Sequence, residues 1–271
     1  FNNQSKSALS SSKDSVLPYP TKESLLSAII RQIDEVIVNG RVSRSRLSGI
    51  GISCPGPLDA EKGLILDTPN LTQFAYFPLA SEISSHFKIP VYMDNDANLF
   101  ALGEWYYCED KKPTVLVAAT LGTGLGFGIV ISGKLFHGAH GMAAEYGISP
   151  DGSGSWEDGI GIRGVNNLSE KYYSKIITPE GLNDLAQKED QPALQLWSEY
   201  GCRLGRFLSH SINMLDPDMI SIGGGISHAF SFFSESLHTE LCRYSPAFNH
   251  YDIAIFESKN KEHSALLGAV E

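Results

Sequence analysis

A chain of 271 residues, 42% of them hydrophobic, can bury the core of one large domain or two modest ones. Its formal net charge of -10 argues against nucleic acid as a partner of this portion, because a grip on the phosphate backbone needs clustered lysine and arginine. The same charge leaves room for an anion held by backbone N–H groups.

The first twenty residues, Ser-rich and ending in "LPYP", read as the tail of a strand or hairpin and an exposed connection. In "TKESLLSAIIRQIDEVIVNG" the apolar residues Leu25, Leu26, Ile29, Ile30, Ile33, Val36 and Ile37 fall at helical spacing, with Thr21 as N-cap and Gly40 after the end. "LSGIGISCPGPLD" is a short buried strand breaking into a Pro-Gly-Pro loop, and "GLILDTPNL" is an extended piece. "LASEISSHF" is helical and "IPVYM" a strand. That strand runs into Asp94-Asn95-Asp96-Ala97-Asn98, more acidic and amide side chains than a turn requires, and a helix-compatible stretch follows. "TVLVAATLGTGLGFGIVISGKLFHG" gives two strands around a glycine-rich turn. Residues 150–160 are irregular, a long helix runs from Pro192 to Leu215, and "DPDMISIGGGIS" is a strand with a triple-glycine turn. "YDIAIFES" and "SALLGAV" close the chain as a strand and the start of a helix. Strands alternating with helices indicate an α/β class. The polar, proline-bearing "CEDKKPT" suggests a boundary between a smaller domain, 1–112, and a larger one, 113–271.

No apolar run reaches the ~18 residues of a membrane span, so no membrane partner is expected. Cys54, Cys108, Cys202 and Cys242 are scattered and form neither a disulfide framework nor a zinc knot, which suits a reduced, cytoplasmic setting. Gly122, Gly124, Gly126 and Gly128 recur at every second position. They leave the backbone bare for a phosphate, or they shape a tight hairpin; Thr123 adds a hydroxyl donor. Gly223-Gly224-Gly225 form a second bare turn, or the plain start of a helix. No helix follows the first turn directly and no Gly-Lys-Ser/Thr follows it, so it is neither a dinucleotide fingerprint nor a P-loop. His137 and His140 lack a third ligand nearby and read as loop or cleft residues rather than a metal site.

Six segments in register, "GISCPGPLD", "GLILDTPNL", "PVYMDNDANLFALGE", "LGTGLGFGIVISGKLFHGAHGMAAEYG", "DPDMISIGGGIS" and "LLGAV", resemble the ROK (repressor, open reading frame, kinase) family from about Leu47 to Val270. The resemblance implies the two-domain, ribonuclease H-like fold of the actin-like ATPases, with sugar and nucleotide meeting in a cleft and Mg2+-ATP as phosphoryl donor. It implies that Asp96 is the catalytic base and that Asn95 hydrogen-bonds sugar hydroxyls, while Asp94 and Asn98 fix the turn or cap the helix. Gly56, Asn70, Glu145 and Glu157 are the implied further sugar contacts. Gly122, Thr123, Gly124 and Gly126 would cradle phosphates, and Gly223, Gly224 and Gly225 would lie by the adenosine. Glucose is the default acceptor, and a homodimer is compatible with the family.

The sequence departs from the family in three places. Ile148 stands where many members have a histidine, and no cysteine lies between Cys108 and Cys202, so no structural zinc is expected and Trp156 must help to hold the loop by packing. Phe127 replaces a common glycine, and a narrower nucleotide pocket is expected. The family's opening strands and Asp-x-Gly-Gly-Thr turn are not found in residues 1–46, so roughly 15 to 20 family residues are expected before Phe1, by usual strand and loop lengths. The alternative reading is the sugar-sensing effector domain of a ROK-type repressor.

Overall fold

The computed structural model describes residues 1–2, 7–13, 15, 19–108, 111–260 and 263–271, with Asn70 described by its backbone alone. Within residues 1–20, expected as the tail of a strand or hairpin and an exposed connection, Asn2 and Ser7 form an isolated antiparallel bridge, and residues 3–6, 14 and 16–18 lie outside the described residues. Glu109 and Asp110, in the stretch expected to divide the domains, also lie outside them. Packing groups the chain into two compact units, Phe1–Asp96 with Ala269–Glu271, and Ala97–Gly268.

The first unit opens with α1 (Lys22–Asn39), started and stopped as its sequence dictates. Thr21 accepts the Ser24 N–H at 3.2 Å in a reciprocal capping box, and Gly40 follows the last turn. Its apolar stripe, including Leu25, Ile29, Ile30 and Ile33, covers a core built on Ile65, Phe74, Ile83, Phe87 and Met93. Two parallel strands, β1 (Ile50–Cys54) and a later partner, pass through this core, with the short antiparallel pair β2 (Leu58–Asp59) and β3 (Leu64–Ile65) beside them. Helix α2 (Leu79–Phe87) ends at Lys88, which takes the left-handed conformation, and β4 (Val91–Asn95) then pairs with β1 so that Cys54 stands opposite Asn95.

Helix α3 (Asp96–Tyr106) leads into the second unit, whose sheet comprises β5 (Val115–Leu121), β6 (Leu125–Ile131) and β7 (Lys134–Leu135). Then come α4 (Trp156–Ile160), α5 (Ile162–Tyr173), α6 (Pro179–Gln187), α7 (Gln191–Leu215), β8 (Met219–Gly223), α8 (Phe230–Tyr244), α9 (Pro246–His250), β9 (Ala254–Glu257) and α10 (Ser264–Ala269). The strand order is β7-β6-β5-β8-β9, antiparallel on the β7-β6-β5 side and parallel from β5 to β9. The expected long helix is α7, with Asp190 as its N-cap. Helix α4 makes the end of the stretch 150–160, expected to be irregular, regular through its Ser155 cap, and α5 and α6 fill residues for which the sequence carries no stated expectation. Trp197, Tyr200, Leu204, Phe207 and Leu208 of α7 are fully buried with Phe233 and Leu237 of α8. Each such side chain contributes about 1.5–3 kcal/mol relative to leaving it in water. Phe127 belongs to this core, edge-on to Phe207 with ring centres 5.5 Å apart. Strand alternation thus points it to the face opposite Gly126 and Gly128.

Candidate functional site

The residues singled out in the sequence divide between the units: Gly56, Asn70, Asn95 and Asp96 in the first, and Glu145, Glu157 and both glycine turns in the second. In the first unit, β1 and β4 are parallel and end level, so their exits leave from one end of the pair. The β1 exit is Pro55-Gly56-Pro57, with a cis Gly56–Pro57 bond. The β4 exit is the acidic turn. Asp94 accepts the Asn95 N–H at 2.7 Å, the turn-fixing role expected of it, while Asn98 is buried within α3. Asp96 is the first residue of α3 and is exposed, where the free N–H groups of a helix start favour a negative charge. The Cys54 thiol reports that charge: burial, and then the Asp96 carboxylate, push its pKa up to about 11. Asn70 lies in the 3-10 turn Pro69–Phe74.

In the second unit both glycine turns sit at the carboxyl ends of neighbouring parallel strands. Thr120 of β5 stands opposite Gly223 of β8. Open α/β sheets bind ligands at this end. Gly122-Thr123-Gly124 joins β5 to β6. The Gly122 N–H donates to the Gly124 carbonyl at 3.1 Å, and the Gly122 carbonyl accepts from the Ile162 N–H at 2.9 Å. A Cβ on Gly122 or Gly225 would meet nothing within 4 Å, so the backbone is bare at both places. Gly224 has φ +85 and its backbone lies against the Leu121 carbonyl, bringing the two turns together. Both turns thus leave main chain uncovered by side chains, at Gly122 and Gly225, on neighbouring strand ends. Gly126 and Gly128 differ in kind. A Cβ on Gly126 would crowd Thr120 and Ala97, and one on Gly128 would crowd Ala97 and Ala101, so these two admit α3 onto β6.

Glu157 enters the same turn. Its carboxyl group accepts the Leu125 N–H at 2.9 Å and lies over Gly124. Helix α4, which carries it, is held by a second capping box: Ser155 accepts the Asp158 N–H at 3.1 Å and donates its own N–H to Asp158 at 3.1 Å. Those bonds to Ser155, with Arg163 adding its charge, hold the Asp158 carboxyl below the usual carboxylate range. Glu145 is the exposed first residue of the 3-10 turn Glu145–Ile148, whose Gly147 is buried against Leu125. Glu145 and Glu157 therefore both arrive through segments anchored on one residue at the start of β6. The loop between them is held by packing, as the sequence required. Tyr146 stacks on Phe207 at 5.1 Å, and Trp156 packs on Phe207 and His210, both at 5.7 Å. His137 and His140 follow β7 in irregular structure. Among the described residues no group of three or more His, Cys, Asp or Glu side chains could hold a metal ion, and no helix is long and apolar enough to cross a membrane. The sequence reading missed the Ser155–Asp158 box, although Ser-x-x-Asp before an apolar residue was there to be read. It also passed over Glu104, a buried carboxyl whose surroundings come from distant parts of the chain.

The ROK family model matches residues 6–271. A glucokinase of Halalkalibacterium halodurans is 33% identical over 223 residues, covering 73% of this chain and 67% of that protein. A xylose repressor of Caldicellulosiruptor bescii is 29% identical over 272 residues, covering 92% of this chain and 68% of the repressor. Among solved structures, a ROK family glucokinase from Streptomyces griseus in complex with glucose and AMPPNP superposes with a TM-score of 0.76 at 24% identity, covering 92% of this chain and 87% of that one. The mixed α/β architecture is therefore the actin-like ATPase two-domain fold of the ROK sugar kinases. Matched through nearly its whole length, the chain belongs to the ROK family.

Proposed function

We propose that this protein transfers the γ-phosphoryl group of ATP to a hydroxyl of a hexose or N-acetylhexosamine, with glucose the default acceptor. The observation that carries the reading is the pair of bare glycine turns at the ends of β5 and β8, in register at Thr120 and Gly223. It is supported by the similarity to glucokinases, one of which was solved with glucose and an ATP analogue.

Asp96 is the proposed base. The sugar oxygen forms a bond to the γ-phosphorus, the bond from that phosphorus to the ADP oxygen breaks, and the sugar proton passes to the Asp96 carboxylate. Asn95 and the backbone at Gly56 orient the sugar, with Asn70, Glu145 and Glu157 as further contacts, since a carboxylate accepts paired hydroxyl donors. The N–H groups of Thr123 and Gly124 and the Thr123 hydroxyl bind phosphate oxygens, the bare main chain at Gly122 lets them approach, Gly126 shapes that turn, and Gly223, Gly224 and Gly225 border the adenosine. Mg2+, carried as part of the Mg2+-ATP substrate, would screen the phosphate charge. The division into domains 1–112 and 113–271, a homodimeric assembly and a cytoplasmic setting belong to the same proposal.

A coupled assay of ADP release against a sugar panel tests it. Asp96→Asn is expected to lower kcat roughly 10²–10⁴-fold with sugar still bound. No sugar-dependent ADP release by the wild-type protein would end the kinase reading. A second reading, the effector domain of a sugar-responsive repressor, is favoured by the identity to the xylose repressor across 92% of this chain. Calorimetry separates the two: a sensor binds sugar without binding ATP.

A further inference from the structure

Glu104, near the end of α3, is only 6% exposed and has no part in the steps above. Its carboxyl group accepts three serine hydroxyls: Ser221 of β8 at 2.6 Å on one oxygen, and Ser258 after β9 at 2.7 Å with Ser264 of α10 on the other. A carboxyl group is taken out of water only where hydrogen bonds replace the lost hydration, and an apolar residue of the same volume would fill the space without that demand. What the carboxyl adds is direction, because it is bound from three separate elements at once. It ties α3 to β8 two residues before Gly223, and Phe100 of the same helix lies directly against Gly223. On the other side α3 and α10 touch backbone to backbone: a Cβ on Gly103 would overlap the Ser264 carbonyl, and one on Gly268 the Leu99 carbonyl. Helix α3 is unbroken from Asp96 to Tyr106. At 1.5 Å per residue, Glu104 stands roughly 12 Å along its axis from Asp96.

We infer that Glu104 is a positioning residue for phosphoryl transfer. By binding serines from β8, the segment after β9 and α10, it sets the axial place and rotation of the helix whose first residue is the proposed base. This rests on the kinase reading above. Glu104 touches no substrate and exchanges no proton in the reaction; it acts through α3.

Glu104→Ala and Glu104→Gln test the inference. The amide keeps the shape: its oxygen can accept from Ser258 and Ser264, and its N–H can donate to a turned Ser221 hydroxyl. Assayed well below the melting temperature, Glu104→Ala should lower kcat roughly 10- to 100-fold while the KM values for sugar and ATP stay within about threefold. Glu104→Gln should recover most of that loss. Hydrogen exchange of peptides spanning 96–106 in the ligand-free protein should quicken in Glu104→Ala and not in Glu104→Gln, with α7 peptides unchanged. Should Glu104→Ala fail to fold, Ser221→Ala, which removes one donor, should show the same split at smaller amplitude. An unchanged kcat per folded molecule, or exchange over 96–106 identical to wild type, would overturn the inference. If wild-type protein releases no ADP with any sugar, the kinase reading falls, and the exchange experiment still decides whether Glu104 holds α3.

Discussion

Replacing Gly124 with alanine sets a methyl group against Glu157, and the structure gives the size of the effect. The new Cβ would overlap one Glu157 oxygen and come within 3.1 Å of its Cδ. Ordinary carbon contacts begin at about 3.5 Å, so the carboxyl group must retreat by roughly 0.5–1 Å. Its bond to the Leu125 N–H, 2.9 Å long, then passes the limit of useful geometry. A hydrogen bond to a charged group contributes about 1.5–3 kcal/mol, and Glu157 is partly exposed to water that can replace it, so a loss of about 1 kcal/mol is expected. For a unit of this size that lowers Tm by about 2–4 °C. Thermal unfolding of wild type, Gly124→Ala, Glu157→Ala and the double variant forms a cycle, in which the two changes should couple by about 1 kcal/mol. If Gly124→Ala costs as much without the Glu157 carboxyl as with it, the contact is not the cause and the reasoning fails.

Three other perturbations follow from the same geometry. With Cys108, Cys202 and Cys242 changed to serine, thiolate absorbance should place the Cys54 pKa near 11, and Asp96→Asn should lower it partway, burial being the larger cause. Because the folded value is raised above the ordinary thiol value of 9.0, this group's contribution to stability holds below about pH 9 and is lost between about 9 and 11; a Cys54→Ala variant should lack that alkaline loss in urea titrations. Ser155→Ala removes the cap of a five-residue helix and should cost about 1 kcal/mol, with proteolysis concentrating in 150–160. Gly268→Ala forces α3 and α10 apart and should cost about 3 kcal/mol, read as a lower denaturant midpoint at unchanged slope.

The legible parts of this protein were those specified by neighbours in sequence. Thr21 and Gly40 bracket α1 because capping is a local bargain between a side chain and the next turn. The strand ahead of Asp94 and the hairpin around Gly122-Thr123-Gly124 follow from apolar runs broken by residues that cannot continue them. Helices α5 and α6 went unread because polar faces dilute their apolar stripes, and Leu168 and Leu182 are recognisable as core only once α7 and the sheet are in place. The alternating glycines looked uniform in the sequence, yet Gly122 is bare, Gly124 lies under a carboxyl group, and Gly126 and Gly128 admit a helix. That distinction depends on Ala97, Ala101 and Glu157, which no local pattern ties to the turn. Glu104 was invisible for the same reason: its partners stand 117 to 160 positions away.

The register between Thr120 and Gly223 has a consequence for how the molecule is made. The hairpin around Gly122 can close early from adjacent segments, but its companion turn arrives only after the chain has laid down about a hundred further residues, and so late in folding. During synthesis there is therefore an interval in which one glycine turn exists without the other, and only chains that have threaded β8 beside β5 carry the pair.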